Sequence, residues 1–279
     1  MSQRRTNKSC EHVERLKRVA KIREIPNSLN EGVHDYSIVL FGYDDPNTAP
    51  AHCGTGTLVK FRDDHYILTA RHCAARLAEY NKTAIPVRPG HPLFIQSMPP
   101  VYVGERKDEA WGPDLAFIPI HAIDVRQLNA ISRDKIFYNL TRHQSEILAS
   151  RPRIADNIWA LVGAPFRLSE IIEADKQMQL HMMGYKVRVM PPITRGEFDY
   201  VEVRIPLASE NALPTFQGVS GGGLWRAELK RDRNGSLTIN GRHKLVGCAF
   251  YETETKRKYR YIRCHGWRSI YDKGLSLLV

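Results

Sequence analysis

Ser220 stands in the run Gly218-Val219-Ser220-Gly221-Gly222-Gly223. Glycine lacks a Cβ, so the backbone can turn sharply there and another chain can lie against it. A nucleophilic serine needs such a setting. Its hydroxyl must be exposed, and backbone N–H groups must point at the oxygen that gains charge in acyl transfer. Gly-Ser-Gly runs also make flexible linkers, so the run needs partners elsewhere in the chain. A base must take the serine proton, and a third group must orient that base. Among eleven histidines, His72 stands apart, in Ile67-Leu68-Thr69-Ala70-Arg71-His72-Cys73-Ala74. It follows an apolar strand and opens a helical turn, which would hold it firmly; a structural histidine would suit the same place. Asp114, in Gly112-Pro113-Asp114-Leu115-Ala116-Phe117-Ile118, enters an apolar strand directly. A carboxylate half-buried there requires a hydrogen-bond or charge partner, although Asp after Pro is also a common turn residue.

The elements that position these three residues are short strands. Tyr36–Phe41, Gly54–Phe61 and His65–Ala70 read as strands, with a turn at Arg62-Asp63-Asp64, and Leu115–Ile120 as a further buried strand. Residues 121–155 are more polar and helical or irregular, and read as a connector. Strands resume at Ile158–Val162, Lys186–Val189, Tyr200–Ile205, Gly223–Arg226, Leu245–Tyr251 and Tyr259–Arg263, and Gly266–Leu278 suits a short closing helix. Asn234-Gly235 and Asn240-Gly241 are hairpin-turn dipeptides. Two groups of short strands joined by a connector predict an all-β protein of two barrels or sandwiches. Ahead of them, residues 11–25 read as a basic amphipathic helix that Pro26 ends, one that packs on the main body or serves as a docking arm.

Composition narrows the class. The chain has 279 residues, 42% hydrophobic and 25% charged, as in ordinary globular proteins. No stretch approaches the ~18 apolar residues that a membrane span needs. The basic N-terminus has no apolar region behind it and does not read as a secretory signal, so a cytoplasmic protein is expected. The net charge is +11, with its densest runs at Lys230-Arg231-Asp232-Arg233 and Lys256-Arg257-Lys258-Tyr259-Arg260. Both read as solvated hairpin tips, and no nucleic-acid-binding motif accompanies them. Five cysteines, Cys10, Cys53, Cys73, Cys248 and Cys264, form no Cys-x-x-Cys pair. An odd count without a signal is not a disulfide framework. Cys248 with Cys264-His265 fits no common zinc spacing. No metal or cofactor is expected.

Taken together, the three segments resemble the trypsin-like (chymotrypsin-fold) serine protease family. Thr69-Ala70-Arg71-His72-Cys73 is similar to the family's Thr-Ala-Ala-His-Cys, Asp114-Leu115-Ala116-Phe117-Ile118 to its Asp-Ile-Ala-Leu-Leu, and Gly218-Val219-Ser220-Gly221-Gly222 to its Gly-Asp-Ser-Gly-Gly. The chain order His, Asp, Ser is that of chymotrypsin. Cys53-Gly54-Thr55-Gly56-Thr57-Leu58 and Leu245-Val246-Gly247 resemble the strand before the histidine and the strand lining the cleft. The likeness spans roughly residues 36–270 and leans toward small intracellular prokaryotic members.

The resemblance implies two six-stranded antiparallel barrels with the site in the cleft between them. It divides the chain into an N-terminal extension (1–30), a first barrel (31–125), a connector (126–155) and a second barrel with its closing helix (156–279). It implies Ser220 as nucleophile, His72 as base and then acid, Asp114 as orienting acid, and the N–H groups of Gly218 and Ser220 as oxyanion hole. Cys53 and Cys73 match a family disulfide that would be reduced in a cytosol. The residue before the serine is Val219, where secreted members carry an Asp that pairs with a newly cut N-terminus. Activation by that route is therefore not expected. Control would fall to a partner protein, a loop or the N-terminal arm. Pro214 stands where trypsin has its pocket-base Asp, and Phe250-Tyr251-Glu252 where the family commonly has Ser-Trp-Gly. These four residues are the candidate substrate-binding set. Glu252 either gives the pocket an acidic wall or pairs with a nearby Lys or Arg. The implied function is an endopeptidase acting on a protein substrate, with a dedicated partner in stress or phage defence as a fold-level analogy. The competing readings are a latent or inactive protease-fold binding module and, less in keeping with the motifs, nucleic-acid binding through the +11 surface.

Overall fold

The computed structural model describes residues 32–44, 50–88, 91–96, 98–105, 108–132, 135–149, 157–168, 170–172, 177–179, 182–207, 215–231, 237–253, 255 and 258–278. The helix read at 11–25, Cys10, Pro214, the Asn234-Gly235 turn and the Lys256-Arg257 tip lie outside them.

The first sheet holds β1 (Ser37–Tyr43), β2 (Ala51–Phe61), β3 (Asp64–Thr69), β4 (Lys82–Arg88), β5 (His91–Ile95), β6 (Val101–Tyr102), β7 (Ala116–Pro119) and β8 (Tyr138–Asn139). Its order is β5-β4-β1-β2-β3-β7-β6, and β8 pairs with β2 in parallel. β1 is buried along six of its seven residues, and β2 is nearly as apolar in its surroundings. β1 is accordingly an unbroken apolar run over Ile38–Phe41, whereas β2 buries His52, Thr55 and Thr57 among its apolar residues. The second sheet holds β9 (Asn157–Gly163), β12 (Met183–Lys186), β13 (Arg188–Val189), β14 (Ile193–Arg195), β15 (Phe198–Pro206), β16 (Gly223–Arg231), β17 (Leu237–Glu252) and β18 (Tyr259–His265). Its order is β12-β9-β16-β17-β18-β15-β13, with β14 on β15. β10 (Glu170–Ile172) and β11 (Gln177–Gln179) form a separate hairpin. Among the described residues no helix is long and apolar enough to cross a membrane.

The fold is thus mostly β, in two eight-stranded sheets that are antiparallel apart from β8. The six-stranded barrels are not found: neither sheet closes. At one edge of each sheet the last strand, β6 or β13, is two residues long, too short to carry a closing ladder. Three local expectations also change. The Asn240-Gly241 turn lies inside β17, where Asn240 pairs with Glu228 and a bulge absorbs the extra residues. The single strand expected over 186–189 is split at Val187 into β12 and β13. The stretch read as a connector contributes β8 to the first sheet as well as the helix Leu140–Ala149, while the helix Ala122–Ile131 straddles its expected start. The closing helix is present, as a π-helical turn Ser269–Gly274 followed by a 3-10 turn Leu275–Leu277.

One apolar core runs from the first sheet into the second. Val59, Leu68 and Phe117 belong to the same cluster as Leu161, Val219, Leu224 and Trp225. Trp225, fully buried on β16, stacks on Tyr36 at 5.2 Å and meets Tyr138 edge-on at 5.2 Å. The strand leaving the glycine run is therefore nailed into the seam between the sheets.

Candidate functional site

Strand register brings His72 to Asp114. Thr69, the last residue of β3, pairs with Ala116, the first of β7. His72 lies three residues beyond that pair, in the helix Arg71–Leu77, and Asp114 two residues before it. Both therefore emerge at the same end of the sheet. Asp114 is 1% exposed. Its Oδ2 lies 2.8 Å from His72 Nδ1, and its Oδ1 accepts the His72 backbone N–H at 2.9 Å. A carboxylate only accepts, so Nδ1 carries a proton, and in the neutral ring Nε2 keeps the lone pair. Burial opposes charge on the His72 ring. Hydrogen bonding to Asp114 and the nearby Cys73 sulfur outweigh it and hold the ring above its ordinary pKa.

Behind the acid sits a residue that the sequence reading did not single out for this place. His265, fully buried at the end of β18, accepts the Asp114 backbone N–H on Nε2 at 2.8 Å. Its proton is therefore on Nδ1, which has no partner among the described residues. Burial pushes its pKa down to about 3, against the pull of Asp114, so it stays neutral. The loop before Asp114 is fastened by Arg263, which donates to the Ala110 carbonyl and pairs with Glu202 at 2.7 Å. Trp111 lies between the guanidinium groups of Arg263, 3.4 Å from the ring centroid, and Arg195, 3.7 Å from it.

The Gln217–Gly222 loop is best followed peptide by peptide, because in a planar trans peptide the C=O and the next N–H point in opposite directions. Gln217 C=O accepts Phe166 N–H at 2.7 Å, so the Gly218 N–H points the other way. Gly218 C=O accepts the Thr55 hydroxyl at 2.8 Å, and Val219 N–H donates to Phe216 at 3.0 Å. Val219 C=O accepts Gly222 N–H at 2.8 Å, which turns the Ser220 N–H away from it. Ser220 C=O accepts Thr55 N–H at 2.8 Å, and Gly221 N–H donates to Ala249 at 2.7 Å. Every carbonyl from 217 to 220 is held. The N–H groups of Gly218 and Ser220 are the pair in this loop with no acceptor among the described residues.

Two glycines permit this path. Gly218 (φ +96°) and Gly221 (φ +86°) are left-handed. A Cβ on Gly221 would strike the Thr55 carbonyl and the Thr69 hydroxyl, and one on Gly218 would come within 2.7 Å of His52 Cε1. Val219, 1% exposed, plugs the loop into the core against Gly163. His52 is buried behind the loop and stacks on Phe166 at 5.8 Å. Burial lowers its pKa to about 4, its bond to the Gly54 carbonyl opposing and the Arg76 charge adding to the shift.

Ser220 meets the histidine side through its carbonyl, which the Cys73 thiol approaches at 3.5 Å from the residue next to His72. Among the described residues no hydrogen bond joins Ser220 Oγ to the His72 ring; resting sites of this kind are often loose there and tighten with substrate. Cys53, Cys73, Cys248 and Cys264 are all buried and unbonded, so the disulfide suggested by the resemblance is not formed. The Cys53 thiol turns instead to the Ala51 carbonyl at 3.4 Å. No group of three or more His, Cys, Asp or Glu residues suited to a metal occurs among the described residues.

The substrate-binding set fares differently. Phe250 is buried against His265, 4.7 Å between ring centroids, and so backs the acid. Tyr251 is half-buried, with Arg263 above its ring at 5.6 Å. Glu252 takes the second of its two readings: Oε1 pairs with Arg260, while Oε2 accepts Phe216 N–H at 2.9 Å and the Thr215 hydroxyl at 3.1 Å. It braces the start of the nucleophile loop.

The chain matches none of the protein-family models and none of the curated proteins against which it was compared.

Proposed function

We propose that the protein is an acyl-transfer hydrolase that works through a covalent serine intermediate, and within that class a serine endopeptidase. The observation that carries this reading is the pattern of unclaimed N–H groups. Where the carbonyls from 217 to 220 are all held, the two N–H groups with no acceptor among the described residues belong to Gly218 and Ser220, on either side of Val219, beside an Asp-oriented imidazole. In the proposed cycle Ser220 Oγ attacks the substrate carbonyl while His72 Nε2 takes its proton. The Gly218 and Ser220 N–H groups receive the developing oxyanion; one such donor is worth about 10² to 10³ in turnover. His72 then returns the proton to the leaving amine, and water releases the acyl group by the same route. Asp114 keeps the tautomer and stabilises the imidazolium.

The substrate in this reading is a protein chain, cut inside the cell. With its donors already turned outward, the loop has no need of a new N-terminus for activation. The missing Ser220 Oγ–His72 hydrogen bond favours a second reading, a latent enzyme that a partner protein tightens. The test is labelling by a fluorophosphonate probe, alone and in host extract. Labelling of wild type with none of Ser220→Ala is expected. Equal labelling of the two, or labelling of neither under both conditions, overturns the proposal.

A further inference from the structure

Thr55 lies in the middle of β2, in the first sheet, and is fully buried. Each of its polar groups is engaged with another segment of the chain. Its N–H goes to Ser220 C=O at 2.8 Å, and its C=O receives the Thr69 hydroxyl at 2.7 Å. Its hydroxyl donates to Gly218 C=O at 2.8 Å and accepts Ala164 N–H at 2.9 Å. The Ala164 bond matters because Phe166, two residues on, is the group that pins the Gln217 carbonyl. One side-chain oxygen therefore ties together the two second-sheet segments that between them orient the Gly218 peptide. Flanking glycines leave room for this: a Cβ on Gly54 would reach Ser220 O at 3.0 Å.

We infer that Thr55 is a positioning residue for acyl transfer: its hydroxyl, supplied by the sheet that carries the base, holds the Gly218 and Ser220 N–H groups toward the developing oxyanion. The inference rests on the proposed serine chemistry. Without the hydroxyl, the half-buried Gly218 carbonyl and the buried Ala164 N–H both lose this partner. The 218–219 peptide is then held only by its Val219 N–H, and the Ala164 segment, which carries the Phe166 N–H that pins the Gln217 carbonyl, loses its tie to β2; the 217–218 peptide between them, with the Gly218 N–H, can shift out of line. The Thr55 backbone bond to Ser220 survives such a change, so the serine stays in place while the Gly218 donor does not. The defect should appear in the chemical step and not in binding.

The experiment compares wild type, Thr55→Val, Thr55→Ser and Ser220→Ala, with fluorophosphonate inactivation and p-nitrophenyl acetate hydrolysis as readouts. Thr55→Val keeps the shape and loses both bonds. Its maximal inactivation rate and its kcat should fall about tenfold, short of the loss of a whole donor, with the half-saturating concentrations unchanged. Thr55→Ser, which restores the oxygen, should return to within about twofold of wild type. Thr55→Val as fast as wild type, or Thr55→Ser as slow as Thr55→Val, overturns the inference. If Thr55→Val does not fold, Thr55→Ala takes its place and the same gap from Thr55→Ser is required. Wild type that reacts no better than Ser220→Ala brings down the serine chemistry and this inference together. A reactive wild type with an indifferent Thr55→Val brings down the inference alone.

Discussion

His72 and Asp114 are joined through side chains and charge, whereas the Gln217–Gly222 loop is fixed through peptide groups and an apolar plug. On the first side a carboxylate, 1% exposed, takes two bonds from one histidine, and a second, neutral histidine takes its own N–H. On the loop side Val219 plugs the core against Gly163, and backbone bonds, together with the Thr55 hydroxyl, hold the rest. The contrast separates two tasks. Proton transfer requires groups whose charge can change, so its scaffold is electrostatic and responds to pH. Oxyanion recognition, in the proposed cycle, requires donors that do not move; hydrogen-bonded peptides and the Val219 plug supply this, with a buried His52 behind the loop and an ion-paired Glu252 at its start.

Three perturbations bear on that contrast, in descending size. Asp114→Asn removes the charge and leaves the shape. Turnover should fall roughly 10⁴-fold, as an amide at this position misorients the imidazole. The rising limb of kcat/KM against pH should also move down, because the acid that holds His72 above its ordinary pKa is gone. An unchanged limb would mean that Asp114 does not set the His72 charge. Val219→Asp puts a charge in place of the apolar plug. A carboxylate at a site 1% exposed and packed on Gly163 has no cation prepared for it, so stability should drop by about 3 kcal/mol. Denaturant titration measures this; a neutral or stabilising result would reveal a hidden ion-pair partner and erase the contrast. The smallest effect per pH unit is acid sensitivity. His52 and His265 have pKa values of about 4 and about 3 in the fold, against 6.5 when unperturbed. Being lowered, they contribute stability that is whole above pH 6.5. It is lost as pH falls through 6.5 toward those values, at most about 1.4 kcal/mol per pH unit for each. His52→Phe should flatten the dependence of the melting temperature on pH between 6.5 and 4; an equally steep variant would assign the slope to other groups.

Much of the strand layout was legible. The runs Ser37–Phe41, His65–Thr69 and Ile158–Val162 are apolar, bounded by turn residues, and strands in the structure. The three candidate residues were singled out by type and chain order, and register explains why two of them, His72 and Asp114, meet. What escaped acts through the backbone. Thr55 and His265 serve by bonding to peptide groups more than a hundred residues away, at 163 and 151 positions' separation, and such a role leaves no mark on the neighbouring sequence. Cys264-His265 drew notice only as an unsuitable zinc spacing. Asn240-Gly241 has the composition of a turn, yet pairing of Asn240 with Glu228 draws it into β17: long-range pairing overrides local preference. Glu252 misled for a similar reason. Its type suggested a pocket wall, and Arg260 with the Phe216 N–H had already claimed it.

The Gly221 N–H is anchored on Ala249, and Asp114 leans on His265, so both halves of the site wait on the last two long strands. As the chain leaves the ribosome, His72 and Asp114 emerge early and Ser220 follows, but the carbonyl that fixes the loop and the imidazole that backs the acid come last. A chain stalled between Ser220 and β18 therefore holds all three candidate residues without the imidazole that backs the acid. In the proposed enzyme, synthesis itself is then a safety catch, released only when the final ladder of the second sheet zips up.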